Sequence, residues 1–328
     1  MGAAEPAASL AATVAASVAA PVADRASVTA LAELAAYGDE PPQMRSGAVG
    51  KSGFLRLGFE RRDGTTILAD LDSRTPYLAQ RALHCDEALP DMAWLFVITT
   101  AGCVLQGDRM ALEVTVGPGA RAHVTTQSAT KVHAMDANHA RQTQAFHLAD
   151  GAYLEYLPDP LIPHRGSRFA SETRITVAPT ASMICAEIVQ PGRKHHRADE
   201  SFGMTVLSLA TSAARPDGRV LFNEKLLIEP LQHPVRQTGV MDGYDVFANV
   251  LLCTPKATAD RVHARVGAEV DRERGVASGA CRLPNDAGLV YKVVGRETEQ
   301  VKARVREFWA VAREEIAGAA IPGGFYWR

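Results

Sequence analysis

From residue 53 onward apolar side chains alternate with polar ones in short extended segments, separated by Gly, Pro or Asp. That is the pattern of a chain built mainly of β-strands. FLRLGFERRDGTTILADL (54–71) reads as a hairpin, two extended halves around an Arg-Asp-Gly turn. WLFVITTAG is a continuous apolar run of strand length, expected to be buried on both faces. ALEVTV, RAHVTT, QAFHLA, YLEYLP, RITVA, SMICAEIV, MTVLSLATS and VLFNEKLLIEP continue the series. A helical period emerges only late. Residues 257–273 place Val262, Val266 and Val270 four apart, and residues 297–317 align Val301, Val305, Phe308, Val311 and Ile316 on one stripe. GVMDGYDVFANVLLC fits helix or strand.

Three segments share one plan. EVTVGPGARAHV, FHLADGAYLEYL and ITVAPTASMICA each run from an alternating strand through a tight turn and an alanine into another strand. The alanines are Ala120, Ala152 and Ala181, at steps of 32 and 29 residues. A β-unit recurring at that interval suggests a stacked, β-helix-like or solenoid array; ordinary hairpins in a sandwich are the alternative. The expected fold is therefore mainly β, many short strands with a few α-helices near the C-terminus.

The first residues depart from this pattern. AEPAASLAATVAASVAAPVA is too weakly apolar to span a bilayer, lacks a positively charged start and carries Glu5, so it reads neither as a membrane anchor nor as a secretory leader. Residues 1–50 are expected to form a disordered Ala-rich extension, and 51–328 a single domain. With 47% hydrophobic and 22% charged residues, the 328-residue chain can bury a large core. A net charge of −2 and no basic stripe argue against nucleic acid. Five scattered cysteines indicate reduced thiols in a cytoplasm rather than a disulfide framework.

The usual catalytic signatures are missing: no GxSxG elbow, HExxH, CxxC pair or dinucleotide fingerprint. Gly47 to Ser52 ends like a phosphate-binding loop, but Arg45 stands where its first glycine belongs. Candidate chemistry lies in single acids set among apolar or small residues: Asp108, Glu155, Glu187 and Glu200. Asp108 after Gly107 equally suits a turn cap, and Glu155 an exposed strand position. Glu187, within ICAEIV, is the best case for an enclosed carboxylate. Lys131, among small hydroxyl residues, is expected to pair with an acid. Weak metal candidates are the soft pair His84–Cys85, together with His133, His195 and His196, the last two within a basic RKHHR loop.

Four motifs in order resemble the urease accessory protein UreD (UreH) family. They are Gly102-Cys103 through Gly107-Asp108, then Gly119-Ala120 with Thr125-Thr126-Gln127 through Thr130-Lys131 and His133. Leu154-Glu155-Tyr156-Leu157-Pro158 follows, and then Gly192-Arg193 with Glu200 and Phe202. Thr65, Gln80-Arg81 and Trp309 in the final helix add to the likeness. Cys103, His133 and Asp199 depart from the family pattern. The resemblance implies a non-catalytic scaffold with a β-helix-like fold that binds urease apoprotein, UreF and the GTPase UreG. It also implies that nickel passes through the interior transiently, with no tightly bound cofactor. Asp108, Glu155, Glu187 and Glu200 are the acids such a path would use. An enzyme cleaving polysaccharides with Asp108, Glu155 and Glu187, and a stand-alone metal-binding protein, are the competing readings. Neither a nucleic-acid nor a membrane partner is expected.

Overall fold

The computed structural model describes residues 31–39 and 52–323. Residues 1–30 and 40–51, most of the expected disordered extension and all but the last residue of the phosphate-loop look-alike, lie outside the described residues.

The hairpin forms as read: β1 (Ser52–Arg62) pairs antiparallel with β2 (Thr65–Arg74). Asp63 and Gly64 both take positive φ, the two-residue turn whose twist suits a hairpin. The chain continues through β3 (Tyr77–Ala79), β4 (Ala93–Thr99), β5 (Arg109–Val116), β6 (Arg121–Thr126), β7 (Thr130–Val132), β8 (Ala140–Leu148) and β9 (Tyr153–Tyr156). Next come β10 (Leu161–Pro163), β11 (Arg168–Val177), β12 (Ser182–Val189), β13 (Val206–Ala214), β14 (Val220–Ile228) and β15 (Val246–Cys253). Helix α1 (Lys256–Arg265), β16 (Glu269–Asp271), β17 (Val276–Arg282), β18 (Gly288–Gly295) and helix α2 (Thr298–Ala317) complete it.

These strands form two open sheets. Sheet I has the order β14-β13-β11-β8-β5-β1-β2; sheet II runs β16-β17-β18-β15-β12-β9-β6-β4-β3, with β10 and β7 alongside. The three repeats straddle them. β5, β8 and β11 lie parallel in sheet I, while β6, β9 and β12 lie parallel in sheet II. The two halves of each repeat therefore face each other across the core instead of pairing as a hairpin. Ala120, Ala152 and Ala181 sit at the crossing and are almost completely buried. Tyr153 N–H donates to the Ala120 carbonyl, and Ser182 N–H to that of Ala152, both at 2.9 Å. Successive repeats thus pair in parallel within each sheet and are bonded to one another at their alanines.

Apolar side chains fill two layers. One lies between the sheets, with Leu55, Val114, Phe146, Ala122 and Leu154 toward one end and Phe169, Leu207, Val132 and Val189 toward the other. The second lies on the outer side of sheet II, where α2 buries Val301, Val305, Phe308 and Trp309. Helix α2 starts with a reciprocal Glu297–Gln300 capping box and ends at Gly318 in the left-handed conformation, close to the expected 297–317.

One expectation fails here. The helix read over 257–273 stops at Arg265: Val266 is already extended, Gly267 follows, and Val270 on β16 is 69% exposed. The four-residue valine spacing persists, but glycine favours leaving the helix. The undecided run GVMDGYDVFANVLLC resolves into a loop followed by β15. The extension also contains structure. Leu31, Leu34 and Tyr37 pack on Ala170 and Val206, on the outer face of sheet I. Glu33 pairs with Lys225 at 2.8 Å and accepts from Ser208 Oγ at 2.6 Å. The Arg168 guanidinium lies 4.3 Å over the Tyr37 ring. This strap lies before the domain start expected at residue 51. No helix among the described residues is long and apolar enough to cross a membrane.

Candidate functional site

Between the two apolar ends of the inter-sheet layer, the inward-facing positions turn polar. Gln142, Gln144, Ser171, Thr173 and Thr211 point in from sheet I, and Thr126, Tyr156, Glu187 and Asn249 from sheet II. They surround a cavity of about 90 Å³. Space on that scale holds several waters when polar partners line it. Part of the lining is mutually bonded: Thr173 Oγ1 donates to Gln144 Oε1 at 2.9 Å, and Gln144 Nε2 to the Tyr156 hydroxyl at 2.7 Å.

Glu187 differs from its neighbours. It lines this cavity, and among the described residues its carboxylate makes no hydrogen bond or ion pair. Burial pushes its carboxyl up to about 7, with the Glu224 charge adding to the rise and Lys292 opposing it. Its cross-strand partner is Asn249. Asn249 Nδ2 donates to Glu224 Oε2 at 2.8 Å, while its Oδ1 is buried without a hydrogen-bond partner. Two oxygen acceptors thus stand unsatisfied at one side of the cavity, an arrangement that costs stability unless water or a cation joins them.

The other three acids lie elsewhere. Asp108 is buried, and its Oδ2 accepts the Leu105 N–H at 2.9 Å, capping the turn made by Gly107 at φ +77°. Glu200 accepts from Arg193 Nη2 at 2.6 Å and from the Arg165 N–H at 3.2 Å. Arg193 holds its carboxyl low. Gly192 beside it is needed: at φ +119° a Cβ would sit 2.3 Å from the Glu200 carbonyl oxygen.

Glu155 is not an exposed strand acid. On β9, Tyr153 and Glu155 face α2 while Leu154 and Tyr156 face the core between the sheets. Its carboxylate receives the Tyr153 hydroxyl at 2.6 Å, His123 Nδ1 at 2.7 Å and Arg313 Nη1 at 3.3 Å. Arg313 also pairs with Asp86, whose Oδ1 accepts the Ala88 N–H at 3.0 Å. His123 stacks on Trp94 with centroids 3.6 Å apart. Burial pushes the His123 ring down, keeping it neutral; Glu155 stays ionised because His123, Arg313 and Tyr153 offset its burial. A histidine in RAHVTT, an aspartate in HCDEAL and an arginine in the last helix gave no local sign of meeting.

The remaining candidates scatter. Thr126 lines the cavity and its Oγ1 accepts the Asp159 N–H at 2.9 Å. Gln127 and Gly102 are exposed. Lys131 is exposed on β7 and pairs with no acid among the described residues, because its strand turns that side chain to solvent. His84 Nε2 is engaged by the Thr66 carbonyl at 2.8 Å, and Cys85 packs under α2. His133 stands 5.9 Å from His164, ring to ring. His195 meets Glu297 at 3.4 Å on the surface, and His196 is exposed. Among the described residues no three or more His, Cys, Asp or Glu come together as a metal-holding group. The polysaccharide-cleaving trio is likewise dispersed: a turn, the helix side of sheet II and the seam.

Residues 51–328 match the family model described as UreD urease accessory protein. The chain is 53% identical over 296 residues to the urease accessory protein UreD of Photorhabdus laumondii, covering 90% of this chain and 92% of that one. It is equally similar, at 53% over 296 residues, to the UreD of Yersinia pseudotuberculosis. To urease accessory protein UreD 2 of Brucella ovis it is 47% identical over 295 residues, covering 90% and 98%. Because 90% of the chain exceeds what residues 51–328 supply, the likeness to these relatives extends into the segment before residue 51.

Proposed function

The chain belongs to the UreD family of urease accessory proteins, and from that premise we propose that it is a maturation scaffold offering nickel a route to the urease apoprotein. Members of this family are accessory proteins, not catalysts. In this reading the chain acts in the cytoplasm, binds the apoprotein together with UreF and the GTPase UreG, and carries Ni²⁺ only in transit. The stacked, β-helix-like reading of the fold belongs with it. Parallel register between successive repeats in both sheets supports that reading, and the polar cavity lies between those two sheets.

The observation that carries the proposal is the unpaired Glu187 carboxylate in the polar seam. A hydrated divalent cation in transit needs oxygen ligands and water. Glu187, the orphaned Asn249 Oδ1 and the hydroxyls of Thr126 and Thr173 provide oxygen of that kind. Strong thiolate or multi-imidazole sets would retain nickel instead. Cys185 lines the same cavity, and burial pushes its thiol up, so it remains protonated and a poor ligand. Asp108, Glu155 and Glu200 are engaged by their own partners, and the route proposed here does not use them.

The test is Glu187→Leu, with the complex recovered by pull-down and the nickel content of the urease measured. Intact assembly with reduced nickel is expected. Full nickel loading would remove Glu187 from the route.

A further inference from the structure

The row of polar residues that starts at Glu187 in the cavity reaches solvent at one ion pair. Glu187 on β12, Asn249 on β15 and Lys292 on β18 are successive cross-strand partners, so their side chains form a row on one face of sheet II. From the opposite sheet β14 brings in Glu224, which pairs with Lys292 and accepts from Asn249 Nδ2. The Lys292 side chain is 59% exposed and that of Glu224 30%. The row therefore runs from solvent at Lys292 inward to the cavity at Glu187.

The bonding along it is unequal. Glu224 can only accept, so it holds the Asn249 amide with Nδ2 toward itself and Oδ1 turned away. That Oδ1 is buried and unbonded, and the next carboxylate, Glu187, has no cationic partner within bonding distance among the described residues. One carboxylate is neutralised at the exposed end of the row, with two unsatisfied oxygen acceptors behind it. A simple surface pair would contribute little to stability; this one also holds the exposed end of the row that leads to Glu187.

We infer that Lys292 gates the seam: its ammonium occupies the place where an entering divalent cation first meets Glu224 and Asn249. The lysine head is a compact charge on a flexible stem, free to swing into solvent. A monovalent ion gains no charge by replacing the ammonium, whereas a divalent ion doubles it, so the displacement favours divalent cations. Once the lysine has left, Asn249 Oδ1 and Glu187 lie next along the row. This inference rests on the seam being the nickel route, and the measurements below separate the two.

Nickel binding to the full chain is measured by isothermal titration at pH 7.5, with unfolding midpoints as a check on folding. Lys292→Met should tighten binding by about tenfold, the lower end of what one neighbouring group contributes at metal sites. Lys292→Arg should leave it at the parent value, and adding Glu224→Gln to Lys292→Met should abolish the gain. Should Lys292→Met lower the unfolding midpoint, Lys292→Gln gives the same readout with a polar head. Unchanged affinity in a folded Lys292→Met or Lys292→Gln protein overturns the gate and reduces Lys292 to a surface ion pair. The route itself is judged separately, by the nickel content of urease matured with Glu187→Gln, which does not depend on Lys292.

Discussion

Arg313 Nη1 lies 3.3 Å from Glu155 Oε2 across 158 residues of chain, and solvent reaches neither side chain. The guanidinium joins two buried carboxylates, Glu155 on β9 and Asp86 in the loop before β4, to the last helix. Such a network contributes little as net attraction, but losing its cation strands two buried charges.

Arg313→Met should therefore destabilise the protein by about 3–5 kcal/mol, read by denaturant unfolding. Arg313→Lys should recover only part of the loss, because a single ammonium cannot form the fork that reaches both acids. Stability equal to the parent in Arg313→Met would mean that α2 is held by its apolar stripe alone.

The same network sets an acid limit. Burial lowers the His123 ring below its ordinary 6.5, so the unfolded chain takes up a proton there before the folded one does. Stability is then lost as pH falls below about 6.5, by at most about 1.4 kcal/mol per pH unit from this one group. Glu155, lowered from 4.5, adds a further loss below that value. His123→Gln should flatten the upper part of the profile, measured as unfolding free energy between pH 7.5 and 5.

Glu187 titrates in the opposite sense. Its carboxyl, raised from 4.5 to about 7, favours the folded state when protonated. That contribution is complete below 4.5 and disappears as pH rises through about 7. At pH 8 Glu187→Gln should stabilise the protein by ~1–3 kcal/mol while lowering nickel delivery. A residue kept only for packing would not combine those two signs.

Leu34→Ala should cost about 2 kcal/mol, read by denaturant unfolding. Leu34 is 4% exposed, against Ala170 and Val206. Proteolysis between residues 31 and 39 should quicken in the Leu34→Ala protein if the strap is held as described.

At Asp108 the turn-cap geometry favours a chemical distinction. Asp108→Asn keeps an acceptor for the Leu105 N–H and should be close to neutral, while Asp108→Leu should cost about 1–3 kcal/mol. Equal loss in both would point to the charge of Asp108 and not to its hydrogen bond.

Much of the local structure could be read directly from the chain. The Asp63-Gly64 turn, the alternating strands, the repeat of turn and alanine, and the apolar stripe of α2 depend on neighbours within a few residues, so their signals are local. Only Gly267 spoiled a helical period, by ending α1 early. The acids were not legible in the same way. Glu155 in YLEY and Glu187 in ICAEIV look alike as single carboxylates in apolar strands, and alternation says only that each shares a face with residues two away. Sheet II is covered on both sides, by α2 and by sheet I, and which cover each acid meets depends on pairings far along the chain. Under α2 waited His123 and Arg313, so Glu155 became part of a closed network. Between the sheets no cation among the described residues came within bonding distance, so Glu187 remained unpaired there. Composition and periodicity could determine that this chain folds into β-strands with enclosed acids; only the long-range stacking of those strands decided which acid was neutralised and which was left facing a cavity.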